Sequence, residues 1–526
     1  MSLPFTDARS CKDWLKEIPL TNAGQAQRLM LEAVRNLNRA DFPALERLTC
    51  LELMRDKVSF VQAEQRSRYA GKTVPLSSAD MAVWDTSRQL VEEMEAGYRK
   101  CFELVGQGDT SVEPHLALII QRTMRYIGLQ MLFAGILYRR FDPGLWMRLH
   151  LQWIEAESRG LALNKVKDSV GSIDGVSSVT AAYVAILLAQ LARTHELGTR
   201  QMDFLDAILK RFAAKVTVSL SPVSARPGHL LSVDLFTNAG ASTDPGARES
   251  DHVRFLDVTA LSKSLRARVV KLQEGESPAA MSLPTDWPVG EMTTQLRRLH
   301  KLWCEPVPML PPGIVPSQTH AIVCFGLDQF HYFLTGAPFE QPGRKRELSR
   351  QELNDIAMFG KVSEQTMKSL YVEVKFTTES WGIIEETRGA LKLMRPGNSA
   401  QGLAVGRLMG VRLSVQSPWM VAVVSAILAE ADGTHHATLT LLPGAPAAVA
   451  VRAADQRNRT GSQYVPALTL PAVPALNVEE TVLIPSNLTP PGRGVDIALT
   501  GQAQGKEITV HEVIERGVDF ERVTFF

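Results

Sequence analysis

The chain has little cysteine, and its cysteines follow no pattern. Its 526 residues include only five of them, without any CxxC pair: Cys11, Cys50, Cys101, Cys304 and Cys324. This usage excludes a disulfide-built scaffold and a zinc site of closely spaced cysteines. A reducing compartment fits it best, so we expect a cytoplasmic protein.

The chain also lacks a net charge and a long apolar run. Its 57 basic and 56 acidic residues give a net charge of +1, so no overall field exists to hold a nucleic-acid polymer or an anionic membrane. The longest apolar run, AAYVAILLAQLA at 181–192, falls short of the ~20 residues that span a bilayer. The opening MSLPFTDARSCKDW carries acid and proline where a signal peptide is apolar. We therefore expect no membrane span and no nucleic-acid partner.

Enzyme signatures are missing as well. Neither GxSxG, nor HExxH, nor a glycine-rich dinucleotide fingerprint occurs, and the tripeptide GKT at 71–73 has Arg66 where a phosphate-binding loop requires glycine. Cys324 with His331 nearby is a conceivable nucleophile and base, but lone cysteines are more often buried small hydrophobes. The histidine pair at 435–436 has no third metal ligand close by and is typical of a solvated turn. We predict no enzyme activity, no cofactor and no metal.

Apolar residues recur at helical spacing from the N-terminus to about residue 215. The clearest stripe is Leu116, Ile120, Met124, Ile127 and Met131. The period then changes from 3.6 to 2, as in strands, at Val216, Val218 and Leu220. We predict an α-helical domain at 1–215 and a small α/β domain at 216–340, the latter ending in a strand at 321–325 and a short helix.

Nearly every segment after residue 370 alternates like a strand. The pairs Pro396-Gly397, Asp432-Gly433 and Pro443-Gly444 mark tight turns between short strands. We predict a connector at 341–369, a small antiparallel β-barrel at 370–455 and a further β unit at 465–526, which is either a second barrel or an extension of the first. The predicted fold class is multi-domain α+β: an all-helical N-terminal half, a small α/β middle, a barrel and a second small β unit.

One stretch within this β region resembles a known family. The segment WGIIEETRGALKL at 381–393 is followed by GRLMGVR at 406–412, a strand that begins at Trp419, and LTLLPGAPAAVAVR at 439–452. This succession resembles the PilZ domain, a six-stranded barrel that binds the bacterial second messenger cyclic di-GMP. The resemblance implies a PilZ-like barrel here.

Two further segments extend the likeness. SCKDWLKEIPLTNAGQAQRLMLEAVRNLNR at 10–39 and LSRQELNDIAMFGKVSEQT at 348–366 resemble the large FimW-type cyclic-di-GMP receptors. Those proteins have a long helical N-terminal region and are linked to type IV pili and surface attachment. The likeness thus covers most of the chain in its arrangement.

The resemblance implies a set of ligand residues. The acid, the serine and the glycine with which a PilZ domain meets guanine correspond to Glu385, Thr387 and Ala390 here, each a departure in size or type. Gly389 is then expected to serve the turn in place of the missing motif glycine. Thr387 keeps the hydroxyl of serine, whereas Ala390 adds a Cβ where the ligand is expected to approach closely.

The other half of the family motif is a pair of arginines four residues apart. Arg346 and Arg350 have this spacing, and guanidinium groups both fork onto phosphates and stack on guanine. A solvated, basic start of a helix is the competing interpretation, because the residues after Arg350 show a helical pattern. Arg388 in the turn, or Arg395 and Arg412 on neighbouring strands, are alternative cations.

The resemblance implies a cyclic-di-GMP-responsive receptor or adaptor in type IV pilus or surface-attachment regulation. Cyclic di-GMP is the expected ligand, and the helical N-terminal half is expected to engage a protein partner. The alternative is a scaffold whose barrel no longer binds a nucleotide and serves protein contacts alone.

Overall fold

The chain divides into two compact units, Met1–Pro311 and Pro312–Phe526. The structure, a computed structural model, describes residues 3–222, 230–243, 249–305, 318–343, 350–360, 376–454, 463–499 and 505–526. The first unit is mainly helical and the second holds two β-barrels. The predicted multi-domain α+β class with a helical N-terminal half is confirmed.

Helices build most of the first unit. They are α1 (Ala8–Glu17), α2 (Ala23–Arg39), α3 (Ala44–Arg66), α4 (Ser78–Gly106), α5 (Leu116–Ile136), α6 (Pro143–Ser158), α7 (Val179–Leu191), α8 (Thr199–Phe212), α9 (Thr259–Gln273) and α10 (Val289–Cys304). Its short strands are β1 (Lys165–Lys167), β2 (Val176–Ser178), β3 (Thr217–Ser219), β4 (Leu230–Asp234) and β5 (Val253–Asp257). The last three strands form one antiparallel sheet in the order β3-β5-β4.

Side-chain caps set where several of these helices begin. The Asn22 side chain caps α2 by accepting a hydrogen bond from the Gln25 backbone N–H at 3.1 Å. Ser178 caps α7 by accepting from the Ala181 N–H at 3.1 Å. Helix α7 starts only at 179, because the residues before it pair as β2 with β1. Strands of three residues are too short to show a sequence period.

The predicted small α/β domain is divided between the two units. Its residues up to Cys304 share one hydrophobic core with α5 to α8, which includes Trp153 and Tyr183 from the helices and Leu256 from the sheet. The residues from 318 onward belong to the second unit. The sheet has three strands only, so it covers its apolar face by packing on the helices.

A buried carboxylate holds α3, α5 and the β1–β2 hairpin together. Asp168 follows β1, has no solvent exposure, and accepts hydrogen bonds from Arg55, from Gln121 Nε2 at 2.8 Å and from the Gly171 N–H at 2.8 Å. Burial by itself raises the pKa of this carboxyl, but the charges of Arg55 and then Arg122 outweigh it and hold the pKa at about 2. The hairpin is thus attached to the helices by charge as well as by packing.

We expect Asp168→Asn to lower the free energy of unfolding of the full chain by about 3 kcal/mol, because Arg55 loses a buried counter-charge. The pKa of Asp168 is depressed in the folded state, so its stabilisation is complete above about pH 4 and is lost as the pH falls toward 2. Urea unfolding followed by circular dichroism, at pH 7 and between pH 4 and 2, measures both effects. Asp13→Asn, at an exposed site on α1, serves as the control. Equal losses of stability in Asp168→Asn and Asp13→Asn would contradict the role of Asp168 as the buried counter-charge of Arg55.

Two closed barrels and two helices make up the second unit. The helices are α11 (Gly326–Thr335) and α12 (Arg350–Phe359). The strands are β6 (His320–Phe325), β7 (Glu379–Thr387), β8 (Ala390–Arg395), β9 (Leu408–Arg412), β10 (Met420–Ala429), β11 (His435–Leu441), β12 (Ala447–Ala453), β13 (Val465–Leu470), β14 (Thr481–Pro485), β15 (Gly494–Leu499), β16 (Lys506–Arg516) and β17 (Phe520–Phe525). The first barrel has the order β10-β11-β8-β7-β6-β9 and the second β12-β13-β14-β17-β16-β15.

The barrel limits differ from the predicted 370–455 at both ends. The first barrel takes in β6, which the sequence analysis assigned to the α/β domain, and it ends with β11. Strand β12, predicted to close this barrel, opens the second one, since the chain leaves β11 through a turn at Gly444, whose φ is +104°. The C-terminal β unit predicted at 465–526 is thus the greater part of a second barrel. Residues 370–375, at the start of the predicted barrel, lie outside the described residues.

The two barrels share one apolar core around Phe520. This fully buried side chain clusters with Leu408 and Val421 of the first barrel, Leu483 of the second, and Phe330 of α11. The residue before it reinforces the junction: Asp519 Oδ1 accepts from the Leu408 N–H at 2.9 Å. The barrels therefore form one body rather than two independent domains.

We expect Phe520→Ala to lower the free energy of unfolding by about 3–4 kcal/mol, because it leaves a cavity in a core that both barrels use. Hydrogen exchange should show lost protection in β9 of the first barrel as well as in β14 of the second. Phe526→Ala, whose side chain is 77% exposed, is the control and should leave both strands unchanged. Lost protection in the second barrel alone would refute the shared core.

Candidate functional site

Four of the predicted ligand residues lie together at the tip of the β7–β8 hairpin. Thr387 pairs with Ala390, so Arg388 and Gly389 form a two-residue turn between the strands. Thr387 Oγ1 donates a hydrogen bond to the Ala390 carbonyl at 3.2 Å. Glu385, Thr387, Arg388 and Gly389 are all exposed. The hairpin tip therefore presents a carboxylate, a hydroxyl and a guanidinium group on neighbouring residues.

Gly389 is not required by the shape of this turn. Its backbone is outside the left-handed region, and a Cβ built on it would meet no atom within 4 Å. Its carbonyl accepts a hydrogen bond from the Leu441 N–H at 2.8 Å, which joins the turn to the end of β11. Gly389 thus leaves open space above the turn, and the sequence-based role for it stays a prediction.

A β-bulge decides the direction of Glu385 and Thr387. The register of β7 against β8 shifts between Ile383 and Glu385, so Ile384 is an extra residue without a partner. Ile383 pairs with the buried Leu393, on the inner face. Without the extra residue, strict alternation would turn positions 385 and 387 inward as well. With it, both side chains point out of the barrel.

The bulge also aligns Glu385 with a cation that the sequence analysis did not include. Lys392 on β8 is the cross-strand partner of Glu385, and directly opposed residues have Cβ atoms about 5 Å apart. Any anion that approaches Glu385 and Thr387 therefore meets Lys392 beside Arg388. The alternation of side chains along β8 from Ala390 could have shown that Lys392 shares a face with Ala390. The sequence could not show that Lys392 pairs with Glu385, because that register depends on the bulge.

The three alternative cations are placed differently. Arg395 lies at the opposite end of the barrel from the turn, because it ends β8, and it donates to the carbonyls of Ser399 at 2.7 Å and Gln401 at 3.0 Å. It holds the loop after β8 and is not available to a ligand at the hairpin tip. Arg388 forms the turn itself. Arg412 ends β9, whose last residues lie at the same end of the barrel as the turn.

The guanidinium group of Arg412 already has some partners within the barrel. Its guanidinium group is stacked over the Trp419 ring, 4.6 Å from the centroid, and Nη1 donates to the Val415 carbonyl at 3.2 Å. Its Nε is buried and has no hydrogen-bond partner among the described residues. Strand β6 lies between β9 and β7, so Arg412 is two strands from the hairpin tip.

The predicted arginine pair is described only in part. Arg346 lies outside the described residues. Arg350 is exposed and begins α12, which agrees with the helical pattern noted after it. The convergence of Arg346 and Arg350 on the hairpin stays a prediction.

The enzyme-like features of the sequence have structural explanations. Burial raises the pKa of the Cys324 thiol to about 12, which keeps it protonated and a poor nucleophile. Lys72 pairs with Asp80 at 2.7 Å in the connection between two helices, not in a strand–loop–helix unit. Within the described ranges no cluster of potential metal ligands occurs. In that same part of the chain, none of the helices has both the length and the apolar character to cross a membrane.

Comparison with known proteins gives the family. Residues 9–224 match the family model described as cyclic-di-GMP receptor FimW, N-terminal domain, and residues 449–526 match the FimW C-terminal β-barrel domain. The chain belongs to the FimW family. A curated relative, the cyclic-di-GMP receptor FimW of Pseudomonas aeruginosa, is 23% identical over 95% of this chain and 88% of its own length. No solved structure matches the chain significantly.

The FimW matches agree with the two outer parts of the structure. The C-terminal match begins within β12 and so corresponds to the second barrel. The first barrel, with the candidate hairpin, lies between the two matched segments. Its resemblance to a PilZ domain rests on the sequence of the hairpin and stays a prediction.

Arg395 has a structural role in the loop after β8, whereas Arg388 lies exposed in the β7–β8 turn. We expect Arg395→Met to lower the free energy of unfolding by about 2 kcal/mol, since two backbone carbonyls lose a nearly buried donor. Arg388→Met should change it by less than about 0.5 kcal/mol, because the site is an exposed turn. Thermal unfolding of both variants and hydrogen exchange of residues 396–402 test this. A destabilisation by Arg388→Met as large as that by Arg395→Met would be inconsistent with a free turn arginine.

Proposed function

We propose that this FimW-family protein is a cyclic-di-GMP receptor that acts as an adaptor in the control of type IV pili or surface attachment. The observation that carries the proposal is similarity along 95% of the chain to a relative named as a cyclic-di-GMP receptor, together with matches to both FimW domain models. The hairpin adds a local argument, because it gathers ligand-type side chains at one exposed tip.

In this proposal the hairpin tip binds one guanine and the adjoining phosphates. Guanine presents N–H donors along its pairing edge, and an exposed carboxylate with a hydroxyl two residues away offers acceptors on one face of β7. Glu385 and Thr387 have that arrangement. Arg388 and Lys392 supply cations to the phosphates, with Arg388 able to form paired hydrogen bonds.

Arg346 and Arg350 complete the proposed site from outside the barrel. A guanidinium group forks onto a phosphate and stacks on a base, so two of them four residues apart suit a cyclic dinucleotide. Arg350 is exposed at the start of α12, as such a role requires. Ligand binding would then fix α12 against the barrel and shift the population of that arrangement.

The helical N-terminal unit is the part that we assign to a protein partner. A ligand alters partner binding only by its differential affinity for the two arrangements of the chain. The proposed location is the cytoplasm, where a bacterial second messenger acts.

The second candidate function is a scaffold that binds no nucleotide. Lys392 opposite Glu385 favours it, because a cross-strand ion pair would occupy the carboxylate that the guanine needs. Ala390 favours it as well, since a Cβ stands where the family motif has glycine.

We expect isothermal titration calorimetry of the full chain to detect saturable binding of cyclic di-GMP. Glu385→Ala and Arg388→Ala should each weaken it by about tenfold or more, because each removes a charge-assisted hydrogen bond. Arg346→Ala and Arg350→Ala should weaken it as well. Cyclic di-AMP should bind far more weakly to the wild-type chain, since adenine lacks the N1–H donor that a carboxylate accepts.

The controls are matched in charge and exposure. Arg493→Ala and Glu480→Ala remove an exposed arginine and an exposed glutamate from the second barrel, and both should leave the affinity unchanged. If the wild-type chain gives no binding heat, the receptor proposal is wrong and the scaffold function remains. If binding is unchanged in both hairpin variants, the nucleotide site does not lie at the hairpin tip. The pilus role is tested separately in a strain that lacks the gene. The wild-type chain should restore surface attachment there, and the Arg388→Ala chain should not.

A further inference from the structure

Helix α9 carries four cations and no acid. Its sequence, TALSKSLRARVVKLQ, contains Lys263, Arg266, Arg268 and Lys271. One side of the helix is buried in the core of the helical unit, and the four cations lie on the remaining surface, three of them exposed and Arg268 half-buried. The whole chain is nearly neutral, with 57 basic and 56 acidic residues, so α9 is a local excess of positive charge.

The end of α8 extends this positive surface. The Arg268 guanidinium group lies over the Phe212 ring, 4.3 Å from its centroid, and Arg211 precedes that ring in the chain. The short helical turn Ala213–Lys215 follows α8, packs against α9 and adds the exposed Lys215. We call the combined surface the basic patch and define it by five residues: Arg211, Lys215, Lys263, Arg266 and Arg268.

None of these five side chains forms an ion pair with the residues that the structure describes. Arg266 Nε donates to His300 Nε2 at 2.9 Å, and Glu305 lies on the far side of that ring, 3.1 Å from Nδ1. Burial, and then the like charge of Arg211, lower the pKa of the Arg268 guanidinium group, and no described acid offsets them. The positive charges therefore stand next to one another without compensation.

Two of the acids close to the patch in the sequence have other partners. Asp206 pairs with Lys210 at 2.6 Å. Glu276 pairs with Lys271 at 3.0 Å, which is why Lys271 is not counted in the patch. Glu274 follows the last residue of α9 and is exposed at that end of the helix. The patch thus retains a net positive charge.

The outermost line of α9 is partly apolar. Lys263, Ala267 and Val270 occur at i, i+4 and i+7, so they follow one another along the exposed side of the helix. Val270 is 50% exposed. At 3.6 residues per turn, Arg266 and Arg268 lie on either side of this line. Cations that flank a small apolar line are typical of a helix that rests in the headgroup layer of a membrane.

Other anionic partners fit the basic patch less well. Single-stranded nucleic acids are bound through exposed aromatic rings that stack on bases, whereas the ring within this surface, Phe212, is buried beneath Arg268. Protein interfaces are depleted in lysine, and two of the five cations are lysines. Anionic lipid headgroups demand no fixed geometry and attract cations that are spread over a helix face.

We propose that the basic patch on α9 and the end of α8 docks the helical unit on an anionic phospholipid surface, with Val270 entering the headgroup layer. Such contact is peripheral and needs no helix that crosses the bilayer. It uses none of the hairpin residues, so the proposal goes beyond nucleotide binding and can fail independently of it.

The test is cosedimentation of the full chain with vesicles of phosphatidylcholine that contain about 30% phosphatidylglycerol. We expect binding at least about tenfold stronger than to vesicles of phosphatidylcholine alone, because the attraction comes from the anionic headgroups. Added salt should weaken it, since salt screens exposed charges. Lys215→Gln combined with Lys263→Gln should weaken binding about twentyfold, at about fivefold for each cation. Glu274→Gln should strengthen binding, because it removes a negative charge from the same face.

The controls are matched in charge and in exposure. Lys12→Gln combined with Arg28→Gln, at exposed sites on α1 and α2, changes the net charge equally and should keep the wild-type affinity. Val270→Gln should weaken binding about threefold, because a polar side chain enters the headgroup layer less favourably. Val176→Gln, at a site of similar exposure in β2, should have no effect.

Circular dichroism of each variant checks folding, and its cyclic-di-GMP titration should match that of the wild-type chain, which separates this surface from the hairpin site. The proposal is wrong if vesicles with and without phosphatidylglycerol bind alike, or if the control pair weakens binding as much as the patch pair. It is also wrong if duplex DNA or polyglutamate releases the chain from vesicles at a lower concentration of negative charge than the vesicles carry. That last result would assign the patch to an anionic polymer.

Discussion

The candidate nucleotide site depends on one extra residue in β7. Trp381 of this strand is fully buried and pairs with the buried Ala321, so odd-numbered positions begin on the inner face. The bulge at Ile384 reverses that order, and only after it do Glu385 and Thr387 face solvent. The same residue places Lys392 opposite Glu385. An acid and a hydroxyl are compatible with this strand because the bulge keeps them out of the apolar interior.

The second constraint is the fusion of the two barrels through a common core. A six-stranded barrel has no edges, so each could stand alone, yet the Phe520 cluster draws on strands of both and on α11. The turn before β17 adds polar contacts, with the Val518 N–H donating to the Gly406 carbonyl at 2.8 Å. The FimW C-terminal match thus covers a barrel that has an apolar core of its own and also contributes to the cluster shared with the first barrel.

The arginine side chains of this protein have several different roles, and only their contacts in the structure distinguish these roles. Arg55 and Arg122 offset the charge of the buried Asp168 carboxylate, Arg395 donates to loop carbonyls, and Arg388 stays exposed. These side chains have the same chemistry in the sequence. What differs is whether backbone or carboxylate oxygens already surround the guanidinium group, and that decides which arginines a phosphate could reach.

The sequence by itself determined the helical N-terminal half, the change to strands near residue 215, several turns, and the resemblance that led to the FimW family. These follow from local periods and motifs: the stripe from Leu116 to Met131 needs no distant partner to be recognised. The tertiary structure alone decided that β6 joins the first barrel and β12 the second, that Ile384 forms a bulge, and that Arg55 pairs with the buried Asp168. Each of these results from pairing or packing between segments far apart in the chain, which no local period records.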